Sequence, residues 1–588
     1  MVVQRGGAAA FGGTCQATGP VRVVVRRGKQ IVRSAVVAGV RAGKFVGKLP
    51  KVPAGGPYEF EVSINGARLV VRDVLVGDVW LLGGQSNMQG GGQSGDAAKP
   101  AAQVRAFYMD DRWAVARDPI HNMWQCVDQV HIDLCGGGRP PQFNGIGPGV
   151  TFGLEMRRRT GIPQGLIACA HGGTSMAQWN PALKKEGSRS LYGALVRRLQ
   201  KNGGRVAGLV WYQGEAEWYA EAVTDYTANM CALVRALRRD AQDAGLPVAI
   251  VQIARHVDAS PNDAMHWNSI QDQQRRLAKV IRRLTCVPAI DLPLDDPAHI
   301  SGHGANRLGR RLAGAMDDLR HGRGPLTLSR IAVRRGKAQG NCQVIVQFDN
   351  VIGRRLRAAG RPNGFSILNA GLTETVYGVQ LDGDRVVLFV QSSPREARSR
   401  ALTYGAGINP FCNITDAADR SLPVFGPVDL GRQRVLTPFI RSWRVGRIAT
   451  EPVSLTRPPA VAGAGWKRMN FPADFADCHQ ILGSMRDGGL LFAVGFNCAE
   501  PMRLRAHLGY DGPITAWCDG RQIFRDPKGT NPARADEGMS YQWPAKGGQH
   551  ELLIYLGANT GKAWGVFLRL ERVDVSPKAL AHIIPVFS

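Results

Sequence analysis

Nowhere in this chain do 18 apolar residues follow one another, so it offers no helical membrane span. Its eleven cysteines never fall as Cys-x-x-Cys, which removes the common zinc and dithiol spacings; no metal site is expected. Cys169 and Cys231 lie in apolar or helical contexts and read as buried thiols, whereas Cys126 and Cys135 are near enough in sequence to bridge a surface insertion. The first stretch, Met1 to Pro20, holds only a short Ala-Phe-Gly run, too broken by glycine for the apolar core of a signal peptide; the compartment stays open. Acidic residues are scarce, 47 against 74 Lys+Arg, for a net charge of +27. That excess raises nucleic acid as a partner. No zinc-finger, RRM or basic-helix pattern accompanies it and the arginines are dispersed, so a generally basic surface is the reading and no nucleic-acid partner is expected. An anionic glycan is the other class of partner that such a charge suits.

What is present suggests several domains in 588 residues. Residues 1–75 alternate apolar and polar side chains (Val21 to Val25, Tyr58 to Val62, Ala67 to Val71) between turns at Gly28, Gly55-Gly56 and Asn65-Gly66: an N-terminal antiparallel β region. Residues 76–322 alternate strands (Leu75–Leu82, Gln164–Cys169, Gly208–Tyr212, Val248–Ile253, Val287–Asp291) with helices (Val150–Thr160, Leu191–Lys201, Ala220–Ala244, Asn262–Leu284, Gly304–Leu319). That pattern predicts an α/β unit with a parallel sheet flanked by helices. Within it, residues 106–145 form an insertion rich in Trp, His and Gly, a loop expected to shape specificity over the sheet's carboxyl edge. Residues 323–430 return to β, expected to share a core with the N-terminal strands. Residues 431–588 read as a separate jelly-roll-like β-sandwich. Its aromatics Tyr510, Trp517, Trp543 and Trp564 are expected mainly in the core, with sugar stacking as the alternative.

The chemistry centres on Gly77-Asp78-Val79-Trp80-Leu81-Leu82-Gly83-Gly84-Gln85-Ser86-Asn87-Met88. An apolar strand stops at two glycines and a serine follows at a helix entry, where a hydroxyl nucleophile and an oxyanion are both served. Met88 replaces the second glycine of Gly-x-Ser-x-Gly, which excludes the α/β-hydrolase elbow. Three further stretches follow in order. Gly165 to Ser175 ends a strand at His171-Gly172-Gly173. Gly208 to Glu217 ends one at Gln213-Gly214-Glu215. Asp296-Pro297-Ala298-His299 precedes a helix, and a carboxylate three residues before a histidine can hold Nδ1–H and aim Nε2 outward. Asp291 and Asp295 are the alternative carboxylates, and His303 the alternative base.

These four stretches resemble the blocks of the SGNH hydrolases, in particular the sialate O-acetylesterase-like carbohydrate esterases. The resemblance covers roughly residues 50–430. It implies a flavodoxin-like parallel sheet and a serine esterase that removes O-acetyl groups from sugars. Ser86 is then the nucleophile, His299 the base and Asp296 its orienting carboxylate. The Ser86 N–H, a Gly172 or Gly173 N–H and the Gln213 amide would hold the oxyanion. Gln85, Asn87, Glu215 and Trp179 become candidates for substrate binding. The family's Ser-Asn or Ser-Asp after Gln-Gly-Glu is replaced by Ala216-Glu217. No cofactor and no obligate protein partner are implied, and relatives are often secreted. The alternatives are an acetylxylan esterase, or a glycan-binding protein on an esterase scaffold.

Overall fold

The computed structural model describes the whole chain except residues 50, 138–144, 259, 338–340, 369–373, 432–434, 451, 453, 460–464, 480–485, 537, 576–582 and 588. One strand, Ala67–Gly84, organises the N-terminal half. Its first part pairs antiparallel with Gly55–Ile64, through a hairpin whose Asn65 and Gly66 both adopt positive φ. Gly55–Ile64 pairs in turn with Pro20–Arg27, and that strand with Gln30–Gly39. From Val74 onward the same strand is buried without interruption and becomes the centre of a parallel sheet. A strand covered on both faces reads as a continuous apolar run, and Val79 to Leu82 does so.

Across the parallel sheet the order is Leu284–Pro288, Val248–Gln252, Gly208–Tyr212, Ala67–Gly84, Gln164–Ala168, Val104–Phe107, with Trp113–Val115 antiparallel at the edge. The chain leaves the central strand on one side, returns to Gln164–Ala168, then crosses to Gly208–Tyr212. The order therefore reverses at the carboxyl end of Ala67–Gly84, the place where open α/β sheets bind ligands. Helices Gly149–Thr160 and Gly302–Arg320 pack together, as do Ala220–Asp240 and Pro261–Val280. One hydrophobic core spans the sheet and these helices.

The last strand begins three residues before its expected place. Ile281 and Leu284 extend the apolar helical spacing of the preceding segment, but the helix ends at Val280, and Arg283, at positive φ, turns the chain into the strand.

Among the described residues, the N-terminal strands and residues 323–430 do not share a core. Val23, Val25, Tyr58, Phe60 and Val74 belong to one cluster, and Val344, Leu388, Leu402 and Phe425 to another that includes Ile290 of the α/β unit. The second region instead docks on the α/β unit. Val424 and the Gln252 side chain exchange hydrogen bonds at 2.8 and 2.9 Å, and Asp419 pairs with Arg307 and Arg311. After residue 435, two antiparallel sheets enclose a further core. Tyr510 and Trp543 are buried there, Trp517 is buried in a separate cluster with Leu491 and Tyr555, and Trp564 is exposed.

Candidate active site

The paired glycines at the strand end permit a close approach that no side chain would allow. Gly84 has φ +127°, and a Cβ on it would fall 2.0 Å from the Tyr212 carbonyl oxygen. That oxygen accepts the Gln85 N–H at 2.8 Å. Ser86 then opens the single helical turn Ser86–Gln89, half-buried, with its own N–H lacking an intrahelical acceptor.

His299 arrives from the loop before the Gly302–Arg320 helix, whose N-cap is Ser301. Asp296 Oδ1 accepts the N–H groups of Ala298 (2.9 Å) and His299 (2.7 Å), curling these four residues into a tight turn. The curl leaves Asp296 Oδ2 2.7 Å from His299 Nδ1, and His299 Nε2 lies 2.9 Å from Ser86 Oγ. Partial burial raises the Asp296 carboxyl, but the two N–H groups and the imidazole outweigh it and hold it below the ordinary carboxylate range. The alternatives are used elsewhere. Asp291 pairs with Arg311 and Arg307, Asp295 accepts the Gln93 and Gly302 N–H groups, and His303 is exposed on the helix.

Three residues expected to touch substrate are instead buried braces. Gln85 Oε1 accepts from Gly214 and Ala216 N–H. Asn87 donates to Glu215 Oε1 (2.8 Å) and the Ala298 carbonyl (3.2 Å) and accepts from the Ile300 N–H (3.0 Å), strapping the His299 loop to the serine turn. Trp179 is fully buried, its Nε1–H on Thr174 and its ring against Trp211. Glu215 Oε2 is buried without a partner, and burial, opposed by the Asn87 amide, pushes its carboxyl up to about 7.

The expected oxyanion donors divide. Gln213 is fully buried and both its amide protons are engaged, on Glu217 Oε1 (2.8 Å) and the Thr174 carbonyl (3.2 Å); it is a brace, because its N–H groups point away into the protein. Gly172 lies beside Ser86: a Cβ on it would be 3.4 Å from the Ser86 Cβ. Its N–H is given to Gln89 Oε1 at 2.7 Å. Gly173 has φ +67° and open space around the position of a Cβ.

Sequence reasoning missed Gln89, since nothing local links it to a glycine 83 positions away. The insertion, expected to shape specificity, also supplies buried histidines. His121 and His131 are buried, and the His131 ring stacks on His171 with their Nδ1 atoms 2.9 Å apart. Burial lowers all three, His171 to about 4 and His121 to about 3, so they support the floor beside Gly172 as neutral rings. Part of the insertion, residues 138–144, lies outside the described residues. Cys126 and Cys135 are free thiols. Among the described residues, Cys518, Asp519 and His550 form a group of metal-ligand type in the C-terminal sandwich, but both His550 nitrogens are already bonded, to Asp519 and the Lys546 carbonyl.

Residues 76–318 match the model of a family described as carbohydrate esterase, sialic acid-specific acetylesterase. A probable carbohydrate esterase of Arabidopsis thaliana is 28% identical over 260 residues, 40% of this chain and 89% of that protein. The sialate O-acetylesterase of Homo sapiens is 30% identical over 254 residues, 37% of this chain. The match spans about half of the human protein, 47% of its length. Among solved structures, a carbohydrate acetylesterase from Xanthomonas citri superposes with a TM-score of 0.55 at 24% identity, over 72% of this chain and 96% of that one. The α/β unit is thus sialate O-acetylesterase-like, as its sequence blocks imply.

Proposed function

We propose that this sialate O-acetylesterase-like chain is a serine esterase that removes O-acetyl groups from sugars through an acyl-enzyme. The observation that carries the reading is the unbroken line Asp296–His299–Ser86, with contacts of 2.7 and 2.9 Å. Ser86 Oγ attacks the acetyl carbonyl carbon while His299 Nε2 takes its proton, and Asp296 steadies the imidazolium through Nδ1–H. The carbonyl oxygen becomes an oxyanion held by the Ser86 N–H and the Gly172 N–H, the second exchanging Gln89 Oε1 for it. Collapse breaks the ester C–O bond, and His299 returns the proton to the departing sugar oxygen. A water then gives a proton to His299 and attacks the acetyl-Ser86 carbonyl; collapse breaks the bond to Ser86 Oγ, His299 returns the proton to that oxygen, and acetate leaves.

Ser86→Ala is expected to abolish release of acetate from an aryl acetate and from acetylated sugars while the circular dichroism spectrum stays that of the parent. Turnover near the parent rate in a folded variant would remove Ser86 from the mechanism. A panel of acetylated sialic acids, xylan and neutral sugars, with acetate quantified, separates the sialate and xylan readings.

A further inference from the structure

The C-terminal sandwich carries a side-chain cluster that the esterase site does not use. One ligand atom from each of Cys518, Asp519 and His550 lies within 4.8 Å of the other two. No Cys-x-x-Cys spacing announces the group, because strand pairing assembles it. Ile514–Cys518 runs antiparallel to Gly548–Gly557 with Cys518 opposite Leu552, so His550 is the diagonal neighbour of Cys518 on the same face. Asp519 and Gly520, both at positive φ, then turn the chain back into Arg521–Asp526.

Each of the three side chains is held in place by the protein itself. The Asp519 N–H donates to the Glu551 carbonyl at 2.9 Å, and Asp519 Oδ1 accepts the Glu551 N–H at 2.9 Å. That leaves Oδ2 facing His550 Nδ1 at 2.7 Å and Cys518 Sγ at 3.8 Å. The His550 ring stacks on Phe496 with 5.1 Å between centroids, and Cys518 is buried. The two bonds of His550 differ in kind. Nε2 faces the Lys546 carbonyl at 2.8 Å, a group that only accepts, so Nε2 carries a hydrogen. The neutral ring then presents the lone pair of Nδ1 to a carboxylate oxygen, which also only accepts. A cation has to stand between the two, either a proton or a metal ion. A backbone carbonyl on the far N–H is the outer support that metal-bound imidazoles take.

We propose that Cys518 Sγ, Asp519 Oδ2 and His550 Nδ1 form a zinc site, with water in the fourth place on the exposed side of Asp519. Tetrahedral zinc with bonds of about 2.0–2.3 Å sets its ligands about 3.4–3.6 Å apart. The Sγ–Oδ2 separation is already 3.8 Å, and Nδ1–Oδ2 has to open from 2.7 Å by about 0.7 Å. A thiolate with an imidazole and a single carboxylate suits zinc, whereas calcium and magnesium take sets of oxygen ligands. On binding, the Cys518 thiol and His550 Nδ1 each release a proton to water. The ion clamps the Asp519-Gly520 turn to the strand Gly548–Gly557.

The experiment frees full-length protein of metal by dialysis against EDTA and titrates it with cobalt(II), a spectroscopic stand-in for zinc, before zinc is added in competition. One equivalent of cobalt per chain is expected to give a thiolate-to-cobalt charge-transfer band in the near ultraviolet, and one equivalent of zinc to bleach it. Cys518→Ser is expected to remove the band. Asp519→Asn keeps an oxygen for the Glu551 N–H and is expected to weaken zinc binding by about tenfold or more, the scale of losses at metal sites. Circular dichroism establishes that each variant is folded, and Asp519→Asn carries the test if Cys518→Ser does not fold. Absence of a thiolate band at several equivalents of cobalt, a band that persists in folded Cys518→Ser, or zinc affinity unchanged in folded Asp519→Asn overturns the site.

Discussion

A carboxamide has two N–H bonds, and Gln213 uses both inside the protein, on Glu217 and Thr174. Replacing it by alanine leaves a cavity and a buried Glu217 carboxylate with one donor fewer. Gln213→Ala is therefore expected to lower stability by about 2–4 kcal/mol. On an aryl acetate kcat should fall less than the roughly hundredfold typical of a lost oxyanion donor. Melting temperature and kcat on one preparation check this; a hundredfold loss at unchanged melting temperature would return Gln213 to the oxyanion site. Residues such as Asp296 and His299 were legible because their contact is local, a three-residue turn that the sequence itself closes. Gln85 and Asn87 were misjudged as substrate contacts because the partners that consume their polar groups come from distant segments, and Trp179 because its ring is buried against Trp211 of the strand Gly208–Tyr212. Neighbourhood to the serine in sequence says nothing about which way a buried amide points.

At the scale of elements, the loops at the carboxyl edge are tied to one another. The Asn87 amide joins the serine turn, the Glu215 turn and the His299 loop in one strap. Its carboxylate member is the pH-sensitive part. Glu215 has a folded pKa of about 7, above the ordinary 4.5, so the folded protein retains a proton there that the unfolded chain releases. The stability this proton confers is fully present below pH 4.5 and is lost as pH rises through 7. The whole difference is worth about 3 kcal/mol at most. Glu215→Gln cannot ionise, so its stability relative to the parent should rise between pH 4.5 and 8 in urea unfolding. An offset equal at both ends of that range would show that the carboxyl is not buried as described. The strands themselves were easy to read, because a doubly covered strand is an unbroken apolar run with glycine or proline at its ends; Gln164–Ala168, Gly208–Tyr212 and Val248–Gln252 depart from expectation by one residue at most. Helix ends were harder. Ile281 and Leu284 continue an apolar period past Val280, and only the backbone shows the break.

Across the whole molecule, the hydrophobic clusters draw boundaries that composition only suggests. The cluster built on Trp443, Phe492, Leu504 and Ile554 contains no residue of the α/β unit, whose own core ends at Met316. A chain of residues 1–430 is accordingly expected to fold and to keep aryl-acetate kcat/KM within about threefold of the full protein, as separate cores imply. Loss of that activity in a soluble, folded truncation would show that the sandwich completes the site.

The other end of the molecule offers no such seam. A cut between residues 75 and 76, where the β region gives way to the α/β unit in sequence, falls inside Ala67–Gly84. The front half of that strand is an edge-to-edge partner in one sheet, and its back half is the axis of another and the stem of Ser86. The N-terminal strands are therefore not a cassette. A recombination event that exchanged the C-terminal sandwich would trade one self-contained part for another. One that exchanged the first 75 residues would also have to supply, in register, the beginning of the strand on which the nucleophile stands.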